Sequence, residues 1–458
     1  MLDAKVRKYL DDNREKHLAG LCQLLRFPSD SSDPAHTADC LACAEAIARE
    51  LTGLGFACRL EPWHTHPVLL ARRNAPGATK TVLLYGHYDV QPAAPLDLWT
   101  TPPFEPSVRD GAVFARGASD DKGQLYSHIK AVEALLAVHG ELPVNVIFLV
   151  EGEEETGSPE LETFIAAHAA GLKADCAVIS DSDFFAPGVP AITYGLRGLV
   201  HVQLELDGPS EDLHSGHHGG AVRNPLNALC RMVAQMHDDN GRVTIPGFYD
   251  DVAPLDGAER KRWAALPMDE KAYAREVGAE PTGGEAGLSV LERRWARPTL
   301  DCNGLTGGHQ GAGSKTVLPA KASAKISMRL VHNQRPEKVL EGFQQFVREH
   351  TPYGIRATVT VSAGALPVMV PPDSPAIQAA SAALREGFGK DVALIRNGAS
   401  VPITELFQRV LGIDPVLMGF GLPDDRLHAP NERMRLGQFY GGIVASAAML
   451  CNLAGKGK

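Results

Sequence analysis

The chain alternates between uninterrupted apolar runs of strand length and amphipathic stretches of helix length. "TVLLYGHYDV" (81–90) and "NVIFLVEG" (145–152) are such runs, and "ADCAVIS" (174–180) is a shorter one. Apolar runs without polar alternation predict strands covered on both faces of a sheet. Between the first two, "DDKGQLYSHIKAVEALLAVHG" places Leu125, Ile129, Val132 and Leu136 at helical spacing, with Gly140 as the stop. This β-α-β rhythm predicts an α/β domain built on a largely parallel sheet.

The pattern changes at Gly198. Residues 199–206 alternate as a half-exposed strand does, and the helix "NPLNALCRMVAQMHD" follows. A long loop-rich stretch leads to the strand "KASAKISMRLV", the helix "RPEKVLEGFQQFVREH" and the alternating strand "RATVTVSAG". That order predicts two helices on an antiparallel sheet. The chain then returns to helix ("AIQAASAALREGF"), a short apolar run ("PVLMGF", 415–420) and a last helix. The expected architecture is one α/β domain, residues 1–197 and 368–458, interrupted by an inserted α+β domain, residues 198–367.

Composition narrows the class. With 458 residues, 44 % of them hydrophobic, the chain can fill more than one core. A net charge of −10 and the lack of a Lys/Arg-rich run argue against a nucleic-acid partner. The first twenty residues are charged throughout, unlike a secretory leader. No uncharged stretch is expected to reach the length of a membrane span. Eight cysteines make no disulfide framework, and Cys40 and Cys43 fall in a predicted amphipathic helix, where buried thiols are the plain reading. These features together predict a reduced, cytoplasmic protein.

The chemistry-bearing residues gather where the predicted strands end, which is where open α/β sheets bind ligands. "GHYDV" offers His87 and Asp89, "ARGASDDKG" offers Asp120 and Asp121, "VEGEEETGS" offers four glutamates, and "VISDSDFF" offers Asp181 and Asp183. "LPDDRLHAPNE" adds His428. Taken singly each has a plainer reading: a structural histidine, a helix-capping aspartate, a solvated acidic run. Together they supply the mixed nitrogen and oxygen donors that suit zinc or manganese, and a carboxylate shared by two ions would make a two-metal site. A strict strand would send Glu154 and Glu155 to opposite faces, so the chain must leave the extended form there, and "TGSPE" offers the turn.

At this combination the sequence resembles the co-catalytic metallopeptidases that include carboxypeptidase G, aminoacylase, succinyl-diaminopimelate desuccinylase and the carnosinases. It is most similar to their cytosolic non-specific dipeptidase and carnosinase branch. "GHYDVQPA", "RDGAVFARGASDDKG", "EGEEETGS", "ITYGLRG", "DLHSGHHGG", "KTVLPAKASAKISMRLV" and "HAPNE" occur in that family's order across roughly residues 83 to 432. The resemblance implies a metallopeptidase domain carrying an inserted lid and dimerisation domain. It implies two divalent metal ions, zinc or manganese, held by His87, Asp120, Glu155, Asp181 and His428, with Asp120 bridging and followed by a cis peptide bond. Asp89 then orients His87, and Glu154 is the general base of amide hydrolysis. His214 donates to the oxyanion from the partner subunit of a homodimer. Arg329 takes the substrate carboxylate as a bidentate guanidinium, and Thr316 and Ser400 are further substrate contacts.

One departure bears on specificity. Where the dipeptidase branch often has a histidine ahead of a proline, this chain reads "PPDSPAI", with Ser374 in that place. Substrate contacts of the carnosine type are therefore not expected to carry over. The leading expectation is a dipeptidase acting on short peptides. The alternatives are an N-acyl-amino-acid deacylase or a carboxypeptidase with the same metal chemistry, and a non-catalytic binding protein of the same shape.

Overall fold

The computed structural model describes residues 2–455 and divides into two compact units. The first comprises residues 1–194, 370–395 and 406–458, and the second residues 195–369 and 396–405. Residues 396–405 thus cluster with the second unit, although the sequence pattern places all of 368–458 in the first.

The sheet of the first unit runs in the order Ala57–Glu61, Val68–Arg73, Asn145–Glu151, Thr81–His87, Cys176–Ile179, Pro415–Leu417 and Ala191–Leu196, the last carrying the chain out of the unit. The four central strands, from Asn145–Glu151 to Pro415–Leu417, are mutually parallel, and antiparallel strands flank them. The expected α/β class holds, with a mixed sheet whose parallel part is its centre. The central strands are those with uninterrupted apolar sequence, and Val146–Glu151 and Val82–His87 are buried without a break. Because the four are parallel, their carboxyl ends share one edge. His87 lies in register with Glu151 there.

The helix Lys122–His139 is buried from Lys122 to Leu135 and ends at Gly140, which takes the left-handed conformation (φ 75°) that glycine adopts without steric cost. Leu436–Leu453 packs against it and against Pro375–Phe388. Contrary to the expectation from sequence, Leu436–Leu453 is uncharged and long and apolar enough by composition to cross a membrane. Its burial explains the composition. Phe439, Ile443, Ala445 and Ala448 sit in the core, and a Cβ on Gly387 would come within 2.5 Å of the Gly441 carbonyl oxygen. A charge or a bulky side chain at that crossing would have no room.

Ser374 caps Pro375–Phe388, its hydroxyl accepting from the Ile377 N–H at 3.3 Å, with Pro375 as first helical residue. The departure noted in the sequence therefore has a local structural use. Ser374→Ala should cost about 1 kcal/mol of stability, seen as a lower unfolding temperature, while kcat/KM stays at the wild-type value. A changed kcat/KM with no thermal shift would assign Ser374 to substrate instead.

The second unit holds a four-stranded antiparallel sheet ordered Thr299–Gly307, Lys321–Leu330, Gly198–Asp207 and Arg356–Ala365. Gly198–Asp207 alternates buried and less buried positions along most of its length. Val200, Val202, Leu204 and Leu206 form a core with Leu229 and Met232 of Pro225–Ala234 and Phe343 and Phe346 of Pro336–His350. Thr299–Gly307 is not legible in the sequence, because it is an edge strand exposed along most of its length and lacks apolar alternation. The stretch that reads as loop also folds into three short helices, Gly257–Ala264, Glu270–Val277 and Val290–Ala296. The last begins with a Ser289/Glu292 capping box.

Candidate metal centre

The chemistry lies at the carboxyl ends of the four parallel strands of the first unit. His87 ends one strand, and Asp181 follows the end of another by two residues. Asp120 and His428 are on loops, and the Asp120–Asp121 peptide bond is cis. Glu154, Glu155 and Thr156 form a single 3-10 turn closed by Gly157 at φ 90°. That turn takes Glu155 out of strand alternation and lets it face His428.

Two groups of donors result, and they share one residue. His87, Asp120 and Asp181 bring ligand atoms within 4.8 Å of one another, and so do Asp120, Glu155 and His428. The Asp120 carboxylate points one oxygen at each imidazole: Oδ1 is 3.2 Å from His87 Nε2 and Oδ2 is 2.8 Å from His428 Nε2. His87 Nε2 is 3.8 Å from Asp181 Oδ2, and His428 Nε2 is 3.4 Å from Glu155 Oε2.

The surroundings fix which atoms are free to bind. His87 Nδ1 lies 3.1 Å from the Asp89 carbonyl oxygen and 3.3 Å from Asp89 Oδ1. With Nδ1–H donating there, Nε2 is the nitrogen that offers a lone pair. Asp89 Oδ2 accepts from Ser31 Oγ at 2.7 Å and from the Glu155 N–H at 3.0 Å, so the one carboxylate orients ligands in both groups. Gln91 Nε2 donates to Glu155 Oε2 at 2.9 Å. Gln91 follows directly in "GHYDVQ", so its place in the motif was visible but its role was not, and nothing in the sequence singles out Ser31.

Charge follows the same geometry. Burial would raise the Asp120 carboxyl, but the bonds from His428 and His87 outweigh it and hold Asp120 below the ordinary range. Burial, and then the charge of Asp120, push Glu155 up to about 7 and Asp181 well above its usual value. Burial also raises Glu154, whose carboxyl feels the charges of His87, Asp120, Asp89 and His428. Among the described residues, the positive charges these carboxylates feel are the imidazoles of His87 and His428, so cations are what would allow all of them to be ionised together. The mixed imidazole and carboxylate donors, the two Nε2 atoms turned toward one carboxylate and the split of that Asp120 carboxylate between them all fit a pair of divalent ions.

The remaining glutamates of the cluster are not solvent-facing charge. Glu151 is 2 % exposed, accepts from the Tyr85 hydroxyl and from Ser158 Oγ (2.8 Å), and is pushed up to about 8 chiefly by burial. Glu153 faces His64 Nδ1 at 2.7 Å.

The other predicted residues lie in the second unit, in two pairs. His214 caps a short helical turn, its Nδ1 accepting from the Gly216 N–H at 2.9 Å, and this leaves the ring proton on Nε2. Thr316 Oγ1 stands 3.5 Å from that Nε2, because Thr316 directly precedes Val317–Leu318, the strand that pairs with Leu213–His214. Arg329 Nη1 donates to Ser400 Oγ at 2.9 Å, and Ser400 Oγ donates to the Arg197 carbonyl at 2.6 Å. No carboxylate lies within ion-pair distance of Arg329 among the described residues.

Comparison with known proteins matches residues 83–452 to the model of peptidase family M20/M25/M40. The chain is 33 % identical to a Cys-Gly metallodipeptidase of Schizosaccharomyces pombe over 98 % of both chains. It is also 33 % identical to the human Beta-Ala-His dipeptidase, over 85 % of this chain and 78 % of that one. Among solved structures, an M20 family metallo-carboxypeptidase from Sulfolobus solfataricus superposes with a TM-score of 0.83 at 33 % identity, covering 96 % of this chain and 99 % of that one.

Proposed function

The chain belongs to peptidase family M20/M25/M40, and from that premise we propose that it is a two-metal dipeptidase cleaving the peptide bond of short, unblocked peptides. The observation that carries the reading is Asp120, whose two oxygens face the imidazoles of two separate ligand groups. His87 and Asp181 would hold one divalent ion, Glu155 and His428 the other, and Asp120 both, with zinc and manganese equally suited to these donors. Bound there, the ions supply Lewis-acid polarisation of the scissile carbonyl and a more acidic water.

The protein's own groups do the rest. Glu154 Oε takes the proton of the attacking water and returns it to the leaving amine nitrogen. Asp89 keeps His87 in the tautomer that presents Nε2, and through the Glu155 N–H it steadies the second ligand group. His214, with its proton on Nε2, is the donor for the tetrahedral oxyanion, supplied from the partner subunit of a homodimer. Arg329, with no carboxylate in ion-pair reach among the described residues, receives the substrate's terminal carboxylate beside Ser400, while Thr316 steadies His214. The inserted unit would then serve as lid and dimerisation domain. Eight cysteines, none in a disulfide among the described residues and two of them fully buried in one helix, favour a reducing compartment such as the cytoplasm.

The relatives include dipeptidases and a metallo-carboxypeptidase, so a carboxypeptidase acting on longer chains is the second reading. A substrate panel separates them. Free dipeptides, Cys-Gly among them, should be cleaved faster than tripeptides, dipeptide amides and N-acetyl amino acids. Arg329→Met should raise KM for free dipeptides about 10- to 100-fold, the worth of a charged hydrogen bond, and leave KM for the amides unchanged. Preferred cleavage of longer peptides would favour the carboxypeptidase, and preferred cleavage of N-acetyl amino acids a deacylase.

A further inference from the structure

We infer that Glu432 is a positioning residue for the metal centre: its carboxylate fixes the backbone of Asp120 and ties it to the loop that carries His428. The inference rests on the two-cation reading above and adds to it a residue with no ligand role of its own.

Glu432 is completely buried. Its Oε1 accepts the backbone N–H groups of Ser119 (2.9 Å) and Asp120 (3.1 Å). Its Oε2 accepts from the Gly117 N–H (2.9 Å) and from Arg116 Nη1 (2.8 Å). Its own carbonyl accepts the Ala115 N–H at 3.1 Å. Five hydrogen bonds therefore run from residues 115–120 to one residue. Three of the donors to the carboxylate are main-chain groups that no water reaches, so their loss is not compensated by solvent.

The other end of the clamp is the His428 loop. Arg426, His428 and Asn431 all have left-handed backbones, at φ 62°, 56° and 63°. Non-glycine residues hold that conformation where surrounding contacts over-determine it, and the contacts are visible. Asp425 Oδ2 accepts from Ser119 Oγ at 3.1 Å, and Asn431 pairs with the Thr100 N–H and the Leu98 carbonyl, both at 2.8 Å. Beyond Glu432, Arg433–Arg435 pairs with Ala112–Phe114. The Asp120 and His428 loops are thus bound to each other on both sides of the 2.8 Å approach of Asp120 Oδ2 to His428 Nε2.

The two ion positions do not depend on the clamp equally. His87 ends a central strand and Asp181 lies just past the end of another, so the sheet itself holds them. Asp120 and His428 are on loops, and Glu432 joins those loops through more hydrogen bonds than the single Ser119–Asp425 contact beside it. Disturbing Glu432 should therefore weaken the ion held by Asp120, Glu155 and His428 more than the ion held by His87, Asp120 and Asp181.

The test is a chelator-buffered zinc titration of the apoprotein, wild type and Glu432→Gln. Loss of such an outer partner typically costs 10- to 100-fold in metal affinity, so the weaker zinc of the variant should fall by about that factor and the tighter zinc by less than about threefold. Raising free zinc should restore peptide hydrolysis, which a general loss of structure would not allow. Unchanged affinities in the folded variant, or equal losses at both positions, would overturn the inference. If Glu432→Gln does not fold, Glu432→Asp is read in the same way, since it keeps the charge and shortens the reach. Amide exchange in the wild type gives an independent reading. The Ser119 and Asp120 amides should already be protected in the apoprotein, and protection that appears only with zinc would show that the ion and not Glu432 sets this backbone. No peptide enters the zinc titration or the amide exchange, so a wrong substrate class leaves both intact, whereas a wild-type protein binding fewer than two zinc ions would instead refute the two-cation reading.

Discussion

Asp120→Ala should strip both metal ions from the protein together and abolish hydrolysis. Asp120 is the one residue common to the two ligand groups, with Oδ1 toward His87 and Oδ2 toward His428. Its removal leaves each position with one imidazole and one carboxylate, and it leaves two imidazoles without the acceptor that holds them. Asp181→Ala is the contrast. It removes a ligand from the His87 position alone, so the ion of Asp120, Glu155 and His428 should remain. Metal per chain after dialysis, measured by elemental analysis, gives the two outcomes directly: near zero for Asp120→Ala and near one for Asp181→Ala. Two ions retained by Asp120→Ala would refute the bridge and leave two independent sites. A circular-dichroism spectrum like that of the wild type must accompany the result, because Asp120 is also buried and hydrogen-bonded.

The centre of the fold was legible because its physics is local. A strand covered on both faces shows itself as an unbroken apolar run, and Val82–His87 and Val146–Glu151 are such strands. Their parallel pairing puts four carboxyl ends on one edge, which is why motifs scattered from His87 to His428 could be assigned to one place. The turn at Glu154 was legible for a different reason. Two adjacent carboxylates cannot serve one site from an extended strand, and the Gly157 that closes the turn was in view.

What the sequence hid depends on contacts or exposure that leave no periodic trace. Thr299–Gly307 is an exposed edge, and the helices between Gly257 and Ala296 are short, two of them strongly polar. The Leu436–Leu453 helix is uncharged because it is packed between two other helices, and that neighbourhood is long-range information. The same holds at the site. Asp89 was legible as the partner of His87 at i, i+2, but its bond to the Glu155 N–H spans 66 residues. Glu432 reaches Asp120 across 312 residues. Motif order marks the candidate ion-binding groups, whereas the groups that position them are fixed by topology.

Glu154→Gln should leave the metal content intact and lower kcat by about 10³- to 10⁴-fold, the upper part of the range for a general base. Glutamine keeps the size of the side chain and removes the basic oxygen, so KM should change little, the mark of a group whose contribution comes in the transition state. The geometry supports this separation of roles. Glu155 lies 3.4 Å from His428 in a ligand group, while Glu154 belongs to neither ligand group yet feels the charges of His87, Asp120 and His428. Near-normal turnover in the variant would remove Glu154 from the mechanism. A lost ion would instead recast it as a ligand. The alanine form of the same position also tests the homodimer. Mixed with His214→Ala chains under exchange, it should regain activity at about one site in four, because a mixed dimer has one site with both groups intact if His214 acts in the partner's site. If His214 acts within its own chain, every site in the mixture lacks one of the two groups, and exchange restores nothing.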